Sequence, residues 1–375
     1  MYRIMTPGPT QVRENVRLAR SRECTNPDLD KDFFLFYRDT CRLISSLLDS
    51  QNETLILGGE GILGLEAACA SLTEPGDPVL VIANGIFGES FADFVKIYGG
   101  KPEVYTAGDQ ESIDVDELAQ YLQGHHDFTY ATVVHCDTPT GVKNAVEQIC
   151  PLLKSYGILT VVDSVSAMFG EQLHVDAAQI DLVCGGSQKV VSAPPGLAFV
   201  TVSEDAKAAM RNRKTPIASF YANLMLLEGC CAKGWFPYTM PVSDINGLRA
   251  AMENIRDDAD IRARHERIAA AVRSALCEAG LELFLKNGYA STVTAFCVPD
   301  GTTDREILDT MQTEHNIMLA DSFGKYAGQL IRIGHMGENA TEENVRETMR
   351  ALDQTFESLG VQTGAGLEQA FLDAL

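Results

Sequence analysis

Between residues 51 and 202 the chain repeats one pattern: a short apolar run, a turn of glycine or small polar residues, then a segment with helical spacing. The apolar runs are Gln51–Leu57, Pro78–Ala83, Pro102–Tyr105, Thr129–His135, Ile158–Asp163, Asp181–Cys184 and Leu197–Val202. Apolar runs this short, bounded by turn signals, read as buried strands. Strands that alternate with helices predict an α/β fold with a mostly parallel sheet covered on both faces. Such sheets bind their ligands beyond the carboxyl ends of the strands. The residues that follow the runs should therefore meet along one edge: Gly58–Ile62, Phe87, Thr138–Gly141, Asp163–Ser166 and Lys189.

Lys189 stands out among them. It sits in Gly186-Ser187-Gln188-Lys189, between two strand-like runs, and Pro194-Pro195-Gly196 follows it. Paired prolines and a glycine can extend neither a helix nor a central strand, so the lysine belongs to a short, stiff loop. Upstream, Ile158-Leu-Thr-Val-Val-Asp163-Ser164 is an apolar strand ending on an acid. A lysine able to form a Schiff base, near a carboxylate able to hold a ring nitrogen protonated, is the pair that pyridoxal phosphate chemistry needs. The turn Gly58-Gly-Glu60-Gly61-Ile62 opens a helix whose first amides can receive a phosphate. Arg332, in the apolar run Leu330-Ile-Arg-Ile-Gly334, is a charged side chain that calls for an anion.

Val162-Asp163-Ser164, Gly186-Ser187-Gln188-Lys189, Pro194-Pro195-Gly196 and Arg332-Ile-Gly, taken in order, resemble the class V, fold type I aminotransferases. Within that family it looks like the branch of alanine/serine–glyoxylate and aminoethylphosphonate–pyruvate transaminases. The resemblance extends from Pro7-Gly8-Pro9-Thr10 to Gly337. It implies a large domain with a mostly parallel central sheet, a smaller C-terminal α/β domain, and pyridoxal 5′-phosphate on Lys189 with Asp163 at its ring nitrogen. Phe87 would lie over the ring, and Thr140, with Thr138, beside the ring oxygen. Gly61, Ile62, Ser166, Ser187, Gln188 and Thr239 would form the rest of the cofactor shell, Thr239 reaching across a dimer interface. Arg332 would bind the substrate carboxylate through its planar fork. Three departures stand out: Glu60 replaces the usual Ser or Thr, Phe87 the Trp of the best-known relatives, and Phe236 the usual phosphate-binding Tyr, for which Tyr238 is a substitute. In the family the N-terminal arm crosses onto a partner subunit.

The implied reaction moves an amino group from a small amino acid, alanine or serine, to a 2-oxo acid, glyoxylate or pyruvate. A 2-aminoethylphosphonate–pyruvate transaminase and a desulfurase-like lyase remain open; the lyases usually carry His before the lysine, where this chain has Gln188. A pyridoxal-binding regulator would need a fused DNA-binding domain, for which neither end has room or charge. The expected division is an arm over residues 1–20, a large domain over 21–256 and a small domain over 257–375.

A net charge of −22 argues against nucleic acid and anionic membranes as partners. The ten cysteines show neither CxxC pairing nor metal-finger spacing, so no metal is expected and the thiols suit a reducing cytoplasm. No apolar run approaches a membrane span. A homodimer with shared sites is the expected assembly.

Overall fold

Seven strands of the computed structural model, which describes residues 2–375, form one sheet. They are β1 (Glu53–Gly58), β2 (Pro78–Ala83), β3 (Lys101–Thr106), β4 (Tyr130–Val134), β5 (Leu159–Asp163), β6 (Leu182–Gly186) and β7 (Leu197–Val202). Their order across the sheet is β1-β7-β6-β5-β4-β2-β3. Neighbours from β6 to β3 pair in parallel, while β7 runs antiparallel to both β6 and β1. Because β7 alone is reversed, the carboxyl ends of the other six all point to one edge. The loop from β6 to β7, which carries Lys189, lies on that edge too.

The central strands read as continuous hydrophobic runs because helices cover both of their faces. All five residues of β4 are buried. Helix α1 (Lys31–Leu47) starts where the Asp30 carboxylate accepts from the amides of Asp32 and Phe33, a capping arrangement that satisfies two otherwise orphaned donors. Its Phe33, Phe34, Tyr37, Cys41 and Ile44 recur at helical spacing and are buried. The Tyr37 hydroxyl accepts from the Ile56 amide at 3.0 Å, which ties the helix to β1. Helix α2 (Gly61–Leu72) is buried along most of its length behind β6 and β7, and Gly64 lets it approach Ala198 and Val200. Helix α3 (Ile86–Ile97) follows β2.

A second hydrophobic core lies C-terminal to the first. The long helical stretch between the two cores is broken at Asp257–Asp260. Helix α4 (Val242–Arg256) packs on the first core and α5 (Ile261–Glu278) on the second. The second core also holds a three-stranded antiparallel sheet of β8 (Thr294–Cys297), β9 (Ala320–Asp321) and β10 (Leu330–Ile333), in the order β8-β10-β9. Helices α6 (Glu342–Ser358) and α7 (Leu367–Ala374) close it.

The N-terminal arm makes these contacts on its own chain. Arg3–Ile4 pairs in parallel with Ile317–Met318, Met5 is buried in the second core, and the Thr10 amide donates to the Gln188 carbonyl at 3.1 Å. The arm thus ties the second core to the Lys189 loop. The basic segment Arg13–Arg22 contains a short helix, Glu14–Arg20, which packs against α4.

Candidate active site

Between the ends of β1, β2, β4, β5 and β6 lies a cavity of ≈ 280 Å³. Its walls include Gly8, Glu60, Ile62, Phe87, Thr138, Asp163, Ser166, Gln188 and Lys189. The convergence expected from the strand order is therefore met by residues from five separate turns and the arm.

Lys189 stands on the wall. The tight β6–β7 loop holds it: the Ser187 hydroxyl donates to the Pro194 carbonyl at 2.7 Å and accepts from the Leu197 amide at 3.3 Å. The Thr10 hydroxyl donates to the Lys189 carbonyl at 3.0 Å. The amine itself donates to the Pro7 carbonyl at 2.5 Å. Gly8 has φ +99°, and a Cβ there would lie 2.5 Å from the lysine Cδ, so both its backbone and the lysine's course favour glycine. Desolvation, followed by the charge of Arg332, pushes the Lys189 amine down to about 8. Its neutral fraction is then far larger near neutrality than that of a solvent-exposed lysine, which stays protonated to about pH 10. The rate at which the amine captures an aromatic aldehyde should climb about tenfold per pH unit and level off near pH 8, followed by absorbance. A rise continuing to about pH 10 would show that the amine is not desolvated.

Asp163 ends β5 and faces the same space. Its Oδ1 accepts from the Val165 amide at 2.9 Å, and burial pushes its carboxyl up to about 7. The Val165 amide favours the charged form without outweighing desolvation. Among the described residues none donates to the other carboxyl oxygen, Oδ2. Thr138 and Ser166 line the cavity with their hydroxyls hydrogen-bonded to each other. Phe87 lies on the wall in the first turn of α3, not in the loop that its sequence suggests.

Arg332 is buried in β10, behind Thr138. Its Nε donates to the Asp321 carbonyl at 2.7 Å and its Nη1 to the Thr138 carbonyl at 3.2 Å. Among the described residues no carboxylate pairs with it, and desolvation pushes it down to about 10. Phe323 lies over the guanidinium, 5.6 Å from ring centroid to Cζ, and meets Phe87 edge-on at 6.1 Å.

Several expected members of the shell lie elsewhere. The Ser187 hydroxyl is taken up by the loop that it stitches. The Thr140 hydroxyl donates to Asp137 Oδ2 at 3.0 Å and does not reach the cavity. Thr239, expected to act across a dimer interface and not in its own chain's cavity, donates to Asp28 at 3.4 Å. Gly61 is buried beneath the turn, where a Cβ would collide with Val165; its neighbour Ile62 lines the cavity. Phe236 stacks on Phe34 at 4.7 Å inside the first core, and Tyr238 stacks on Tyr221 at 4.7 Å. His335 is structural: buried, pushed down to about 3, it is held between Thr294 and the Ser291 carbonyl.

Asp137 was not singled out by sequence reasoning. Its Oδ1 accepts from the Phe87 amide at 2.9 Å and its Oδ2 from Thr140, so one buried carboxylate fixes two turns at the sheet edge. Gly85 leaves room for it, since a Cβ there would overlap the carboxylate. The signal available was the acid inside His135-Cys-Asp-Thr-Pro-Thr-Gly141, just past a strand end. Phe323 gave no signal because it belongs to no chemical motif, and the Pro7 carbonyl gave none because it is a backbone group.

The family profile described as "Aminotransferase class-V" matches residues 25–347. The chain is 32% identical to the pyridoxamine–pyruvate transaminase of Mesorhizobium japonicum over 98% of this chain and 95% of that one. It is 30% identical to the alanine–glyoxylate aminotransferase of Felis catus over 94% of this chain and 87% of the relative. Among solved structures, the ureidoglycine–glyoxylate aminotransferase of Bacillus subtilis superposes with a TM-score of 0.95 at 26% identity, covering 100% of this chain and 98% of that one. With the sheet, the second α/β core and the lysine loop already described, these likenesses are of one kind: the chain belongs to the class V aminotransferases, a fold type I, pyridoxal-phosphate-dependent family.

Proposed function

We propose that this aminotransferase moves an amino group from a small amino acid, alanine or serine, to a small 2-oxo acid, glyoxylate or pyruvate. One observation carries the reading. A lysine with a depressed pKa and a buried carboxylate face one cavity, and a guanidinium without a carboxylate partner lies just behind its wall. The relatives support the acceptors, since they pair glyoxylate or pyruvate with various donors.

The ring end of the cavity fits the family's cofactor. Lys189 would hold its aldehyde carbon, Asp163 would face its ring nitrogen, and Phe87 would cover one face. When bound, pyridoxal phosphate supplies an electron-withdrawing ring conjugated with the substrate nitrogen. The protein supplies the rest. Asp163, with Oδ2 free, would hold a proton on the ring nitrogen, and the positive charge formed there would draw its own pKa down from about 7. The Lys189 Nζ would carry a proton to and from the substrate Cα, and the Pro7 carbonyl would keep the amine aimed from the wall. Arg332 would take the α-carboxylate after Phe323 moves aside, and Phe87 and Phe323 together would exclude water.

The proposal includes a homodimer. Phe220, Tyr221 and Trp235 are more than half exposed, and Ile62 at the cavity rim is 43% exposed, an apolar surface that a second copy would cover. A partner's Thr239 would then be available to the site. The ten cysteines are all free, which suits a cytoplasmic setting, and among the described residues no helix is long and apolar enough to cross a membrane. A panel of amino donors against glyoxylate and pyruvate, read by product amino acid, tests the substrate reading. Turnover with alanine or serine is expected. Turnover confined to donors without an α-carboxylate would overturn it.

A further inference from the structure

We propose that the end of the cavity at the start of α2 prefers a hydroxymethyl group to a phosphate, so that unphosphorylated pyridoxamine and pyridoxal enter the site as exchangeable substrates. This rests on the reading of Lys189 and Asp163 given above and names a further amino donor for the same site.

The first backbone amides of a helix are the natural receivers of a phosphate. In this chain one of them is already engaged. Glu60 is the N-cap of α2, and its Oε1 accepts from the Ile62 amide at 3.2 Å. The carboxylate therefore competes with any anion for that amide. Its other oxygen, Oε2, accepts from the Gln188 Nε2 at 3.0 Å. That contact fixes which way the amide points, since turning it over would set two acceptors against each other. Among the described residues none donates to the buried Gln188 Oε1, on a residue only 7% exposed. Glu60 and Gln188 both line the cavity.

This end of the cavity thus offers a carboxylate and an orphaned carbonyl oxygen, both acceptors. An ionised phosphate also only accepts, so it would leave the Gln188 oxygen unsatisfied and add negative charge beside Glu60. Among the described residues that line the cavity, Glu60 and Asp163 are acids and Lys189 is the single base. Lys189 is committed to the other end of the ring. An alcohol can donate its hydrogen to Gln188 Oε1 or to Glu60 and so supplies what is missing. A buried acceptor left unpaired is costly, which makes the donor group the better match.

The exchange balances without a further reagent. The C4′–N bond of pyridoxamine breaks and a Cα–N bond forms on the 2-oxo acid. C4′ passes from amine to aldehyde and loses two electrons, which the oxo carbon gains; the oxo oxygen leaves as water when the carbon–nitrogen bond forms, and one water supplies the aldehyde oxygen at C4′. The proton that leaves C4′ passes to Lys189, and one is returned to Cα.

The test uses the full chain freed of bound vitamer, titrated by absorbance with pyridoxal and with pyridoxal phosphate. The wild type should hold pyridoxal about tenfold more tightly than the phosphate ester, and should convert pyridoxamine and pyruvate to pyridoxal and alanine without added phosphate ester. Glu60→Ser, which keeps a capping side chain without the charge, should tighten the phosphate ester about a hundredfold and change pyridoxal less than about threefold. Glu60→Gln, which keeps the shape, should shift the same way and guards against a folding defect in the first variant. Equal shifts for both ligands, or a wild type that retains the phosphate ester through dialysis, would overturn the proposal. If borohydride traps neither vitamer on Lys189, the Lys189 reading itself fails, a different outcome from loss of discrimination.

Discussion

Lys189→Ala should remain folded and lose amino transfer by at least about ten-thousandfold, the combined effect of removing a covalent anchor and a proton carrier. The fold should survive because the loop is held by groups other than the amine. Ser187 binds the Pro194 carbonyl, Thr10 binds the Lys189 carbonyl, and the Ala193 amide donates to the Ser187 carbonyl at 2.9 Å. The side chain lies on the wall of a cavity, so its truncation enlarges an existing space and opens no hole in a packed core. The Pro7 carbonyl loses its donor but gains access to water. Unchanged far-UV dichroism and a melting midpoint within a few degrees would establish the fold. Small primary amines added to the variant should restore part of the proton transfer, because the missing group is a base and not a packing element. Turnover within about tenfold of the wild type would mean that another residue does this work.

The second large effect is expected at Arg332. Arg332→Ala should lower kcat/KM for α-amino acids on the order of a hundredfold or more, since charge-assisted hydrogen bonds are worth roughly 1.5–3 kcal/mol each and a carboxylate takes two. Two of the guanidinium's donors are spent on the carbonyls of Asp321 and Thr138, which aims the remaining edge and holds the group rigid. Lysine keeps the charge but not the fork, so Arg332→Lys should recover only part of the loss. Amines without a carboxylate serve as controls and should be little affected. If they suffer equally, Arg332 supports the Thr138 turn and not the substrate.

The two predictions draw on unequal amounts of sequence information. Lys189 and Asp163 were legible because each ends or follows an apolar run, and the topology then leaves no choice of edge. The mostly parallel sheet was legible for the same reason; the reversed β7 was not, because strand direction leaves no mark on composition. Side-chain targets were the hardest to read. Ser187 and Thr140 carry hydroxyls at the expected positions, yet each finds a nearer acceptor, Pro194 or Asp137, within its own turn. Short polar side chains in turns bond locally first, and only coordinates show which remain free. Glu60 was visible as a misfit beside a phosphate-binding turn. Its resolution required knowing that one oxygen caps α2 and the other orients Gln188. The docking of the arm on its own chain follows from pairing of Arg3–Ile4 with Ile317–Met318, a contact between segments more than three hundred residues apart that no local pattern announces.

The identity of the reactive lysine is the claim on which the rest depends. It is tested by incubating the full chain with pyridoxal or its phosphate, reducing with borohydride, digesting, and mapping the pyridoxyl label by mass. The label should fall on Lys189 alone, and its yield should follow the fraction of neutral amine as pH passes through about 8. A label on any other lysine, or none on the peptide that contains Lys189, would contradict the account.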